Sequence, residues 1–272
     1  MRRDAGMEVR VVLVEPKRWE NVGAVARVMK NFGFSSLYIV ISPPDDRASQ
    51  HSIRSIRFQN STHFTHAHAG CTHIDRRAFY VASHAEDVLE RCKIVYTVED
   101  AIANSHIVVG TTAKIGSEMN VLRRPFFEPE KLGKFTMRKR GILSLLFGRE
   151  DIGLLNEELK RCDIVLHIPA HHEHPVMNLS HAVAIVLYEI YKFRRTAGAA
   201  TRLASVEDRE HLLAHFRTLL ERVEHREHRR ERTMIVLRHI FGRAGVTSRE
   251  VRTVHGMLRK TLRMLARKAG ER

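Results

Sequence analysis

The sequence predicts an α/β fold built on a parallel sheet, followed by a small C-terminal helical domain. Two observations carry this expectation. Short, continuous apolar runs rich in β-branched residues recur through the first two-thirds of the chain and alternate with stretches of helical periodicity, the pattern of strands covered by helices on both faces. After about residue 205 the strand-like runs stop and only helical spacing continues.

The elements follow in order. Val9 to Val14 is the first strand, Val22, Val25, Met29 and Phe32 recur at helical spacing, and Leu37 to Ile41 is apolar again until Pro43-Pro44 stops it. Alternation resumes with Ile94 to Tyr96, the helix-like Val98 to Ala103, Ile107 to Val109, Ile142 to Phe147 and Ile164 to Ile168. Val183, Val186, Leu187 and Ile190 then mark a helix. Small residues from Thr196 to Ser205 read as a linker, dividing a domain at 1–196 from a helical domain at 206–272. In the second domain, Leu212, Leu213, Phe216, Leu219, Leu220 and Val223 mark one helix and Met234 to Phe241 another, with Gly242-Arg243-Ala244-Gly245 as a break. Thr247 and Glu250 are placed to form a capping box for a last helix. That helix carries Val251, Val254, Leu258, Leu262 and Leu265 on one face and arginines and lysines on the other.

Charge narrows the partners. Lys and Arg number 46 against 31 acids, a net charge of +15, and 18 histidines can add to it near a polyanion. Such a surplus points to nucleic acid or an anionic surface. The N-terminus has two arginines but no apolar stretch after them, and no run approaches the about 18 apolar residues of a membrane span. Cys71, Cys92 and Cys162 stand apart with no Cys-x-x-Cys pair, so neither a disulfide framework nor a zinc ribbon is expected, and a reducing cytoplasm fits best.

No Gly-x-Gly-x-x-Gly follows a strand and no phosphate loop ending in Gly-Lys-Ser/Thr is present, which disfavours a dinucleotide site or an NTPase. In an open parallel sheet, ligands settle at the carboxyl ends of strands. Three strand ends offer backbone-rich turns: Gly110-Thr111-Thr112-Ala113, then Gly148 to Leu154, then Ile168-Pro169-Ala170 running into Met177-Asn178-Leu179-Ser180. Spacing alone makes the ligand a nucleotide-like molecule. The plainer alternative is that Gly148 and Gly153 serve tight turns while Asn178 and Ser180 cap the following helix.

Three segments carry a resemblance when read together: Asn21-Val22-Gly23-Ala24-Val25-Ala26-Arg27, Leu146 to Leu154, and Glu173-His174-Pro175-Val176-Met177-Asn178-Leu179-Ser180-His181-Ala182-Val183-Ala184. In this order they resemble the signature motifs of the SpoU/TrmH superfamily of RNA ribose methyltransferases, the SPOUT enzymes, across roughly residues 8 to 194. The chain departs from the pattern at Val176-Met177-Asn178, where the family commonly has Ser-Leu-Asn; Asn178 and Ser180 match.

The resemblance implies a trefoil-knotted α/β methyltransferase domain with S-adenosylmethionine as cofactor. It would be held by Thr111, Thr112, Ala113, Gly148, Arg149, Glu150, Gly153, Ile168, Pro169, Met177 and Leu179. It implies catalytic roles for Asn21, Arg27, Asn178 and Ser180, no metal, and a homodimer in which the partner's Arg27 completes each site. A guanidinium, with its pKa above about 12, is a poor base. Arg27 is therefore expected to stabilise a developing alkoxide or to act beside a substrate phosphate, unless it simply pairs with Glu20 on the surface.

The stretch from Arg243 to Val251 with His255-Gly256-Met257-Leu258 looks like the TrmJ-type tRNA methyltransferases, which implies tRNA as partner and cytidine at position 32 of the anticodon loop as target. Three alternatives stay open: 2′-O-methylation at another tRNA or rRNA site, a base methyltransferase, and a non-catalytic RNA-binding protein. The insert bearing His51, His63, His66, His68, Cys71 and His73 matches no standard zinc module. It reads as a loop flanking the active site and able to touch RNA phosphates.

Overall fold

A computed structural model describes residues 6–42, 74–116, 120–123, 126–137, 139–194, 201–223 and 227–270. The elements run β1 (Met7–Val14), α1 (Trp19–Asn31), β2 (Ser36–Val40), α2 (Arg76–Ala82), α3 (Glu86–Glu90), β3 (Lys93–Val95), α4 (Val98–Ile102), β4 (Ile107–Thr111), β5 (Phe126–Phe127), α5 (Pro129–Thr136), β6 (Lys139–Phe147), α6 (Asn156–Leu159), β7 (Ile164–Leu166), α7 (Leu179–Arg194), β8 (Thr201–Arg202), α8 (Val206–Arg222), α9 (Glu227–Ala244) and α10 (Ser248–Gly270). Among the described residues no helix is long and apolar enough to cross a membrane.

The strands lie in the order β3-β2-β1-β6-β4-β7-β5, with β8 added to the start of β6, and every pairing is parallel. Because β1 to β3 grow outward on one side and β4, β7 and β5 on the other, β6 fills the middle, where the direction of winding reverses. Each face buries its own apolar set. Val22, Met29, Ala78, Leu89, Leu132, Val183 and Leu187 of α1, α2, α3, α5 and α7 cover one face. Ala101, Ile102 and Leu159 of α4 and α6 cover the other, with Cys162. Strands sandwiched in this way read as unbroken apolar runs, which is why the sequence revealed them.

Arg10 is the exception within β1. Its guanidinium is buried and donates to the carbonyl oxygens of Ala101 and Ala103 at 2.7 and 2.9 Å, 4.3 Å from the centre of the Tyr38 ring. The charge is met by the carbonyl end of α4 and by an aromatic face rather than by an acid.

The C-terminal helices have a separate apolar cluster, in which Leu212, Val251 and Leu258 pack with Phe216, Leu219, Phe241 and Val254. They are nevertheless fastened to the sheet. Arg209 of α8 donates to the carboxylate of Asp163 at 2.5 Å, with both side chains 3% or less exposed, and to the carbonyl oxygen of His106. Asp163 also accepts the amide of Val108 at 2.8 Å.

Two sequence expectations are corrected here. Gly242 does not break the chain, because α9 continues through it to Ala244 and the turn falls at Gly245, whose φ is +63°. Gly242 is where α9 touches the sheet domain: a Cβ there would stand 2.5 Å from the Cβ of Asp163. Within the stretch expected as a linker, Thr201 and Arg202 pair with Lys139 and Arg140, Leu203 and Ala204 are buried, and Ser205 caps α8. Residues 195–200 and the histidine-rich insert at 51–73 lie outside the described residues.

Candidate functional site

The carboxyl ends of β6, β4 and β7 stand side by side, and the turns that follow them meet the segment entering α7 around one pocket. Thr111, Thr112, Ala113 and Lys114 line it from the first turn, Gly148 to Leu154 from the second, and Ile168, Pro175, Val176, Met177, Leu179 and Ala182 from the third. Its floor is apolar, with Phe147, Leu154, Leu166 and Leu179 all buried.

The middle turn owes its shape to glycine. Arg149 and Gly153 exchange backbone hydrogen bonds, the Gly153 amide reaching the Arg149 carbonyl at 2.8 Å, and Gly153 takes a φ of +70°. The loop thereby folds back over Gly148, where a Cβ would lie 2.1 Å from the Gly153 carbonyl carbon. Only a residue without a side chain fits there.

Polar side chains tie the three sequence motifs together. The Glu150 carboxylate accepts the amides of Lys17 and Arg18 at 2.8 and 3.2 Å and the Asn21 side-chain amide at 2.8 Å. Asn21 in turn accepts from the Asn178 amide at 2.9 Å, and the Asn178 oxygen takes both the backbone amide and the hydroxyl of Ser180, at 2.9 and 2.8 Å. Asn178 is thus the cap of α7 and also the link to α1. Burial opposes ionisation of Glu150, but the Lys17 amide, the Asn21 side chain and the Arg18 amide outweigh it and hold its pKa below 4.5. Arg149 is committed elsewhere: its side chain is 8% exposed and grips Glu15 at 2.8 Å and Glu158 at 3.0 Å. That guanidinium, by hydrogen bonding, holds the Glu15 carboxyl below its ordinary value.

The first turn is pinned as well. Thr111 donates its hydroxyl to the Leu146 carbonyl at 3.0 Å, and the Thr112 hydroxyl accepts from Arg123 at 2.7 Å while Arg123 reaches Asn156 at 3.0 Å. Arg123 and Lys114 both line the pocket and neither was singled out by the sequence reading. Arg123 sits in a segment with no periodicity or motif, so nothing local marked it.

The structure therefore brings together Asn21, Glu150, Asn178 and Ser180 in one hydrogen-bonded chain, and Thr111, Thr112, Ala113, Gly148, Arg149, Glu150, Gly153, Ile168, Met177 and Leu179 around one pocket. Pro169 does not line it and is exposed. Arg27 is exposed on α1, away from the pocket lining, and it does not pair with Glu20, which meets Arg77 at 3.3 Å. Among the described residues no grouping of His, Cys, Asp and Glu could hold a metal ion.

The chain is similar to known proteins. A tRNA (cytidine-2′-O-)-methyltransferase TrmJ of Methanocaldococcus jannaschii is 35% identical over 250 residues, covering 90% of this chain and 96% of its own. A tRNA (cytidine/uridine-2′-O-)-methyltransferase TrmJ of Sodalis glossinidius is 31% identical over 92% of this chain and 89% of its own. Among solved structures, TrmJ from Z. mobilis ZM4 superposes with a TM-score of 0.66 at 25% identity, over 93% of this chain and 98% of that one. Residues 51–188 match the model of the SpoU rRNA Methylase family, a span that holds the glycine turn, the pocket floor and the start of α7. By that match and by its relatives, the chain belongs to the SpoU rRNA methylase family of methyltransferases.

Proposed function

We propose that this protein transfers a methyl group from S-adenosylmethionine to the ribose 2′-oxygen of a tRNA, at cytidine 32 of the anticodon loop. The observation that carries the reading is that two of the motif segments line one pocket and the third is tied to both of them by the Glu150–Asn21–Asn178 chain. Relatives covering nine-tenths of this chain are named as tRNA 2′-O-methyltransferases.

The pocket suits the cofactor. The apolar floor accepts an adenine face, and the tight turn that only a glycine at 148 permits lets the backbone of Gly148 to Leu154 line the pocket. Thr111 to Ala113, Gly148 to Gly153, and Ile168, Met177 and Leu179 would hold it. When bound, it supplies an activated methyl group on a sulfonium. What the chain must add is placement of the ribose hydroxyl in line with that methyl, which is chiefly an entropic task.

Arg27, fixed on α1 yet exposed, carries the positive charge that stabilises the ribose oxygen as its proton passes to a neighbouring phosphate of the substrate, which the same guanidinium can grip. Asn21, on the same helix, hydrogen-bonds to the cofactor-side loops, so it fixes α1, the helix from which Arg27 would reach the pocket of the partner subunit. Asn178 and Ser180 act by holding the start of α7.

The site is completed in a homodimer of knotted domains. In support, α1 and α7 pack against each other and leave Tyr188 and Tyr191 49% and 38% exposed beside Phe32, an aromatic surface next to the helix that carries Arg27. A tRNA substrate puts the protein in the cytoplasm. The test is methyl transfer from labelled S-adenosylmethionine to unmodified tRNA in the absence of added metal, followed by nucleoside digestion. A 2′-O-methylcytidine at position 32 is expected; a base-methylated nucleoside, or activity that a chelator removes and a metal restores, would overturn the reading.

A further inference from the structure

The cations that line the candidate cofactor pocket, among the described residues, are Lys114, Arg123 and Arg149. Arg149 is taken up by Glu15 and Glu158. Arg123 is bonded as well, but only to neutral oxygens: its guanidinium donates to the Thr112 hydroxyl at 2.7 Å and to the Asn156 side-chain oxygen at 3.0 Å. Its charge is therefore left whole on a half-buried side chain. A guanidinium also has more donors than these two bonds use.

The local structure holds that group in place. A turn closes just before it, with the Arg123 amide on the Asn120 carbonyl at 3.1 Å and the Leu122 amide on the Asn120 side-chain oxygen at 3.2 Å. Thr112 is engaged on every side. Its amide donates to the Leu166 carbonyl at 2.9 Å, its carbonyl lies 3.1 Å from the Nδ1 of His167, and its hydroxyl accepts the Lys114 amide at 3.2 Å besides Arg123. Each polar group of Thr112 thus already has a partner, and its part is to orient Arg123. Lys114, by contrast, is exposed, and its ammonium makes no ion pair among the described residues.

The geometry points to Arg123 as the residue that takes the α-carboxylate of S-adenosylmethionine. The inference rests on the methyltransferase reading above. That cofactor has a single anionic group beside a cationic ammonium and a cationic sulfonium, so a fixed guanidinium attracts it at one end only. A carboxylate answers a guanidinium as a two-pronged acceptor. In a pocket floored by Phe147, Leu154, Leu166 and Leu179, water competes less for such a pair. Because Thr112 and Asn156 hold Arg123 before a ligand arrives, little side-chain freedom is lost on binding. Repulsion keeps the sulfonium away from the same group, which sets the sense in which the cofactor lies. An RNA phosphate is the other anion that comes to this site, and Lys114 is the more open of the two cations to it.

The test compares S-adenosylmethionine with its decarboxylated form, which differs only in the carboxylate, binding to the full chain by calorimetry without tRNA. The parent should bind the decarboxylated form about ten to a hundred times more weakly. Arg123→Gln should weaken S-adenosylmethionine by a similar factor and leave the decarboxylated ligand within about threefold, so that the preference disappears. Arg123→Lys, which keeps the charge but not the fork, should retain only part of the preference. Lys114→Gln should leave it intact.

Equal affinity of the parent for the two ligands would overturn the inference. So would an equal loss of both in Arg123→Gln, the result expected if Arg123 only straps Thr112 to Asn156. If Arg123→Gln melts early, Arg123→Lys decides, and a preference as large as the parent's would count against the contact. A preference lost in Lys114→Gln would assign the carboxylate there instead. An Arg123→Gln that keeps the preference but binds labelled tRNA more weakly, with a flatter salt dependence, would assign Arg123 to a phosphate. A parent that binds S-adenosylmethionine yet transfers no methyl group to tRNA would refute the proposed function while these affinities still judge Arg123; a parent that binds neither ligand would end both.

Discussion

Arg27 and Glu150 do different work although both belong to the motifs. Arg27 is exposed and lies outside the pocket lining, so Arg27→Ala should abolish turnover while leaving S-adenosylmethionine affinity within a few-fold by calorimetry; collapse of cofactor binding would assign it to the donor instead. Glu150 is half-buried and accepts from three donors that hold its folded-state pKa below 4.5. The unfolded chain then takes up the proton first, so this carboxylate's contribution to stability is complete above 4.5 and is lost as pH falls through the lower folded value. Glu150→Gln should lower the melting temperature at pH 7 and the gap to the parent should close toward pH 3; a gap independent of pH would mean that the charge is immaterial. The motif residues themselves were legible in the sequence. Their partners were not, because the bonds from Asn21 to Glu150 and to Asn178 join positions 129 and 157 residues apart.

Among the elements, α9 best separates what periodicity can reveal from what it hides. Its apolar spacing predicted a helix, yet Gly242 looked like a stop when it is the point of closest approach to Asp163, a contact invisible without the neighbouring chain. One turn earlier, His239 is 2% exposed, and its Nε2 finds no hydrogen-bond partner among the described residues. Burial first, then the nearby charges of Arg243 and Arg238, push its pKa down to about 4. Its folded pKa lies below the ordinary 6.5, so between those values the unfolded state binds more protons and stability declines as pH drops. His239→Leu should flatten thermal stability over that window relative to the parent. Parallel melting curves from pH 7 to pH 4 for the two proteins would show that the imidazole is hydrated and unshifted.

At the scale of the whole molecule, the alternation of runs foretold a parallel sheet but not its order. That β6 separates β1 from β4 depends on long-range pairing that no local pattern encodes. The same holds for the contacts that the helices after residue 206 make with the sheet domain through Arg209 and Gly242, both at Asp163. Cutting the chain near Ala199 would strip Asp163 of Arg209, so truncation confuses folding with recognition; charge substitution on α10 is the cleaner probe.

That helix packs on α8 through Val251 and Leu258 and turns Arg259, Lys260, Arg263 and Arg267 to solvent, on the face opposite its apolar stripe. If α10 extends the RNA-binding surface, replacing these four by glutamine should leave melting temperature and S-adenosylmethionine affinity intact while weakening tRNA binding. The salt dependence should flatten by about 0.7 to 0.9 per lost phosphate contact, as for single- and double-stranded nucleic acid. An unchanged slope would confine α10 to holding α8 in place, and the recognition of tRNA would then fall to surfaces nearer the pocket.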